Sequence, residues 1–127
     1  MNSLDTNVIL RYLLDDIPEQ TVRAKAVIVN SSCYVTDVVV TETIFVLERV
    51  VGMDRSDIVQ LVQMFLSLPT VVYNDYFLDQ AIELYDKRTM LSIVDCYAAT
   101  EAKIYGNSLI SFDKGLVAHG GDHVFEP

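Results

Sequence analysis

Short runs of β-branched and apolar residues alternate with longer stretches of helical periodicity, and that alternation leaves few folds open to this chain. Residues 33–36, 70–73 and 108–112 read as strands, with residues 1–4 and 123–125 as a first and a last one. Helices are expected over 8–14, 18–29, 37–51, 54–68, 75–87 and 92–105. Their ends carry physical signals. Pro18 suits a first turn, Asp37 and Asp54 or Ser56 suit caps, and Gly52, Pro69 and Gly106 with Asn107 suit stops. Short strands joined through helices favour parallel pairing, because a parallel connection needs a crossover long enough to hold a helix. The expected fold class is α/β, a three-layer α/β/α sandwich with a mainly parallel central sheet of the Rossmann-like kind.

One domain is expected over residues 1–127. The chain has 127 residues of which 51% are apolar, enough for one core, and no repeat or Pro/Gly/Ser-rich linker divides it. No uncharged apolar run approaches the roughly 20 residues a membrane helix needs, and the N-terminus lacks the basic flank and apolar stretch of a secretory signal. A soluble, cytoplasmic protein with no membrane partner is expected. Cys33 and Cys96 lie far apart without Cys or His companions, so both read as reduced core residues. His119 and His123, near the C-terminus, have no Cys companion and are not expected to bind zinc.

Nine basic against eighteen acidic residues give a net charge of −9, which argues against an electropositive nucleic-acid surface. Bound divalent ions would change that locally. Two of them bring four positive charges, taking −9 to −5, and put the positive charge where a phosphate would dock.

Four acids invite such ions. Asp5 and Asp113 follow predicted strands, and in open α/β sheets ligands gather beyond the carboxyl ends of the strands. Helix capping is the competing explanation for both. Asp95 completes the pattern Ser92-Ile-Val-Asp95 of a capping box, yet Ala98, Ala99 and Ala102 would let its helix lie close to a sheet, with Asp95 at the top of the buried face. Glu42 has Val38, Val39, Phe45 and Val46 as helical neighbours, while Thr41 and Glu48 mark another stripe as the solvated one. Glu42 is therefore expected on a buried apolar face. Ionised carboxylates gathered in such places are costly without a compensating cation, and hard ions such as Mg2+ or Mn2+ match oxygen ligands.

Those residues carry a resemblance. Asp5-Thr6-Asn7 after the first strand, Glu42 in the helix after the second, Asp95-Cys-Tyr-Ala-Ala on a late helix and Ser111-Phe-Asp113-Lys114 after a late strand resemble the PIN-domain nucleases. The length and the early first motif further resemble the single-domain VapC-like toxins of toxin–antitoxin pairs. The resemblance implies a PIN-like sandwich and a Mg2+- or Mn2+-dependent endoribonuclease with one or two ions. It also implies an RNA substrate, with transfer RNA among the candidates, and a homodimer neutralised by a small antitoxin. Asp5, Glu42, Asp95 and Asp113 carry over as metal-binding catalytic acids, with Thr6, Asn7 and Ser111 in supporting roles. Ser111 stands where threonine is more usual in the family and keeps the hydroxyl.

Among the cations, Arg11, Lys87, Arg88 and Lys114 lie close enough in sequence to these motifs to position an RNA backbone. The seven tyrosines sit mostly in strands or apolar helical faces and read as core or interface. Ile58, Leu61, Val62, Phe65 and Leu66 form one stripe of the fourth helix, more apolar surface than a small core readily covers, so a dimer contact or antitoxin groove competes there with ordinary packing. Two other function classes fit the same residues. One is a catalytically silent binding module whose acids are structural. The other is a receiver-like phosphoryl-transfer protein, against which the order of its acids and lysines speaks.

Overall fold

The computed structural model describes all 127 residues, Met1–Pro127. They form two compact units, Met1–Asn74 and Asp75–Pro127. The first is built on a parallel sheet of β1 (Asn2–Ser3), β2 (Cys33–Val35) and β3 (Val71–Tyr73) in the order β1-β2-β3. Asn2 lies opposite Cys33, and Cys33 opposite Val71. The middle strand is the buried one: Cys33 and Val35 have no exposed surface, whereas both residues of β1 remain exposed at the sheet edge.

Helices α1 (Thr6–Leu14) and α2 (Pro18–Asn30) make the crossover from β1 to β2. The crossover from β2 to β3 uses α3 (Asp37–Val46), a π-helical segment (Leu47–Val51) and α4 (Arg55–Leu66). Ile9, Ile28, Ile44, Leu47 and Ile58 from these crossovers are buried. The ends follow the local chemistry. Asp15 closes α1 in the left-handed region, which aspartate tolerates better than most residues. Gly52 closes the π-helical segment at φ 80°, where a side chain would be strained.

One expectation needs correction here, and one open alternative is decided. Thr36, not Asp37, caps α3, its hydroxyl accepting the Val39 N–H at 3.2 Å, and Asp37 is the first helical residue. The Thr36 backbone is still extended as it leaves β2, the conformation a cap requires. The α4 stripe, in turn, is spent on the chain's own core: Ile58, Val62, Phe65 and Leu66 are buried and Leu61 is half-buried. Apolar exposure lies instead on α3 and the segment after it, where Val38 and Val50 are about three-quarters exposed.

The second unit contains α5 (Asp75–Lys87), α6 (Ile93–Tyr105), β4 (Leu109–Ile110), α7 (Lys114–His119) and β5 (Val124–Phe125). α5 and α6 pack against one another, burying Leu78, Ile82 and Tyr85 with Ile93, Cys96 and Ala99. β4 and β5 pair in parallel, Leu109 opposite Val124 and Ile110 opposite Phe125. His123 fastens this pair to the helices, its Nε2 lying 2.7 Å from the Ala99 carbonyl, so that the imidazole N–H donates to that oxygen. α7 has no counterpart among the sequence expectations. Six residues, one of them Gly115, are too few to show helical periodicity.

Every strand pairing in both units is parallel, which is the α/β class expected. Cys33 and Cys96 form no disulfide and are fully buried. No helix is long and apolar enough to cross a membrane.

Candidate active site

Asp5 occupies the N-cap position of α1 without capping it. Its backbone carbonyl accepts the first helical N–H groups, from Val8 at 3.1 Å and Ile9 at 3.3 Å, while the exposed carboxylate makes no hydrogen bond or ion pair. Capping, the structural explanation for an aspartate here, is thus not what this side chain does. The next residue adds a second anomaly. Thr6 is 4% exposed, and its buried hydroxyl has no hydrogen-bond partner. Leaving such a group unpaired costs about 1–3 kcal/mol, so a hydroxyl kept there points to a partner from outside the chain.

Glu42 overturns its sequence expectation. It lies on α3 with Val38 and Phe45 as expected, but that stripe is the exposed one, and α3 buries Val40, Thr43 and Ile44 instead. The supposed solvated stripe of Thr41 and Glu48 is half-buried, with Glu48 paired to Arg55 at 3.3 Å and Arg49 at 3.5 Å. A helix that is apolar all round has no periodicity to say which side faces inward. Like Asp5, the Glu42 carboxylate has no partner.

In the second unit, half of the expected capping box forms. The Ser92 hydroxyl accepts the Asp95 N–H at 3.1 Å, but the half-buried Asp95 carboxylate does not reach back. Ala99 is buried one turn further along, while Ala98 and Ala102 are half-buried. Asp113 behaves differently. Its Oδ1 accepts the Leu116 N–H at 2.9 Å and caps α7, while its own N–H donates to the Ser111 hydroxyl at 2.9 Å. Ser111 therefore holds Asp113 in its turn.

The remaining candidates divide in the same way. Asn7 is exposed at the start of α1, and Arg11 is held by Asp16 at 3.1 Å. Lys87 is paired with Glu83 at 2.6 Å, Arg88 lies beside it at the end of α5, and Lys114 is exposed next to Asp113. Sequence reasoning misses one polar link at the carboxyl end of the sheet, where Asn74 donates to Asp37 Oδ2 at 3.1 Å and joins the turns after β2 and β3. The signal is present, since Asp37 follows a strand just as Asp5 does, but a cap is the simpler reading of such a residue.

The four acids divide two and two between the units, and no group of three or more His, Cys, Asp or Glu side chains has the spacing to hold a metal ion. Their chemistry nonetheless suits a hard divalent ion: three of the four carboxylates are uncommitted, and an orphaned hydroxyl sits beside one of them. Residues 3–121 match the PIN domain family. The chain belongs to that family. No curated protein is similar enough to count as a match. PIN domains are typically nucleases and generally use divalent metal ions, so membership supports nuclease activity in general terms. In this PIN-domain chain, Asp5, Glu42, Asp95 and Asp113 all fall within the matched residues.

Proposed function

We propose that this PIN-domain chain is a single nuclease domain, a Mg2+- or Mn2+-dependent endoribonuclease that is the toxin of a toxin–antitoxin pair. It acts in the cytoplasm as a homodimer on RNA, transfer RNA among its candidate targets, and is restrained by a small antitoxin. One observation carries the nuclease reading: the carboxylates of Asp5, Glu42 and Asp95 stand at motif positions with no partner in the chain. Glu48, which stands at no motif position, is instead paired with Arg55 and Arg49.

Asp5, Glu42, Asp95 and Asp113 would hold the one or two ions. A bound divalent ion would supply an acidified water and a counter-charge for the phosphate oxygens. The chain itself would supply orientation. The Thr6 hydroxyl, buried beside Asp5, can hydrogen-bond a group brought by substrate or solvent. Ser111 fixes the turn that presents Asp113, and Asn7 and Lys114 lie exposed beside the two strand-ending acids. No side-chain nucleophile is required, so no covalent intermediate is expected.

The test is cleavage of a structured RNA pool by purified protein with Mn2+, with Mg2+ and with EDTA. Cleavage with either ion and none with EDTA supports the reading. Folded, inhibitor-free protein that is silent with all three would favour the silent binding module instead.

A further inference from the structure

The second unit carries a groove that the four acids do not account for. It runs along α5 and α6, encloses about 500 Å3, and ends at the loop after α7. Lys87, Arg88 and Lys103 line it, against the carboxylates of Glu83 and Asp122. In a chain of net charge −9 this is a local excess of cations. Glu83 is already engaged by Lys87, whereas Lys103 is exposed and has no carboxylate partner. The volume is in the range of small-ligand sites, ample for a nucleotide-sized group.

Aromatic rings cluster where the start of α5 meets the end of α6. Gln80 and Lys103 line the groove, Tyr76 is one helical turn before Gln80, and Tyr105 is two residues after Lys103. Tyr76, Phe77 and Tyr105 form a chain of rings, with centroids 5.6 Å apart for the first pair and 5.5 Å for the second. Tyr76 and Tyr105 are each 64% exposed, whereas Tyr85 is wholly buried. Exposed rings beside spaced cations match the chemistry of a single strand, whose phosphates seek positive charge and whose unpaired bases seek flat faces.

We propose that the α5–α6 groove binds single-stranded RNA, with phosphates held by Lys87, Arg88 and Lys103 and a base stacked on Tyr76 or Tyr105. This rests on the ribonuclease reading and adds residues to its substrate surface. His123 is excluded as a phosphate donor, because its Nε2 is committed to the Ala99 carbonyl.

The test is fluorescence anisotropy of a labelled single-stranded RNA with the full chain, carrying Asp5→Asn and in EDTA so that binding is read without cleavage. Lys103→Glu is expected to weaken binding about tenfold and to make the slope of log affinity against log salt shallower by about 0.7 for each phosphate no longer held. Tyr105→Ala is expected to weaken it by about tenfold with the salt slope unchanged. Glu83→Gln, which removes a carboxylate from the groove, is expected to tighten it. Lys25→Glu, an equal charge change on exposed α2, serves as the control and should have the smaller effect. Equal losses for Lys25→Glu and Lys103→Glu, unchanged affinity in Tyr105→Ala, or equally tight binding of duplex RNA would overturn the proposal. So would absence of single-strand binding by a protein that cleaves RNA in the metal assay. Failure of metal-dependent cleavage alone would instead strike the nuclease reading, so the two failures are distinguishable.

Discussion

Asp5 and Asp113 stand in the same sequence context, an aspartate between a strand and a helix, and do different things. Asp113 is held by Ser111 and spends an oxygen on the Leu116 N–H, whereas Asp5 leaves its carboxylate free and only its backbone joins α1. Position alone therefore does not say whether such an aspartate's side chain caps its helix. The neighbours do: one aspartate is oriented by a preceding hydroxyl, while the other is followed by a buried hydroxyl without a partner.

Asp113 offers the largest effects. Asparagine caps as well as aspartate but lacks its charge, so Asp113→Asn should keep the melting temperature and lower metal-dependent cleavage by about 100-fold or more. Asp113→Ala should lose the same activity and also about 1 kcal/mol of stability, read as a drop of about 4 °C. Equal stability of the two variants would mean that the cap contributes nothing, and the contrast with Asp5 would collapse.

Thr6→Val sharpens the other side. Removing an unsatisfied hydroxyl at nearly constant shape should raise the metal-free stability by about 1 kcal/mol while reducing cleavage. A fall in metal-free stability would show that the hydroxyl has a structural partner after all.

Glu42→Gln should change thermal stability by less than about 0.5 kcal/mol, as for an exposed site without partners, while cleavage falls. A large destabilisation would restore the buried placement that the sequence suggests.

The smallest effect belongs to Glu83. A hydrogen bond and charge from Lys87 hold its carboxyl below the ordinary 4.5. The resulting stabilisation is present above the unfolded value and fades as pH falls through the lowered folded one. Glu83 is exposed, so Glu83→Gln should melt close to the parent at neutral pH, with even that gap closing in acid.

The helices and strands are legible in the sequence because their ends carry chemistry. Pro18, Gly52 and Gly106 fix termini through backbone constraints that do not depend on the rest of the fold. α7 is not legible, being shorter than two helical turns, and its signal is the cap at Asp113 alone. The acids can be chosen from their motifs, but not their surroundings. The exposure of Glu42 depends on which side of an all-apolar helix packs inward, and the free carboxylate of Asp5 depends on side-chain orientation that no spacing encodes. Tyr76 and Tyr105 escape the sequence for a similar reason, since both fall near the ends of helices where an apolar ring can clear the core.

The most direct measurement is the cleavage rate of Asp5→Asn with Mn2+, taken with its melting temperature from the same preparation. A free carboxylate kept for metal and not for structure should give a loss of about 100-fold or more in rate with the melting temperature unchanged. A lowered melting temperature with cleavage retained would contradict it, and would make Asp5 a structural residue like any other cap.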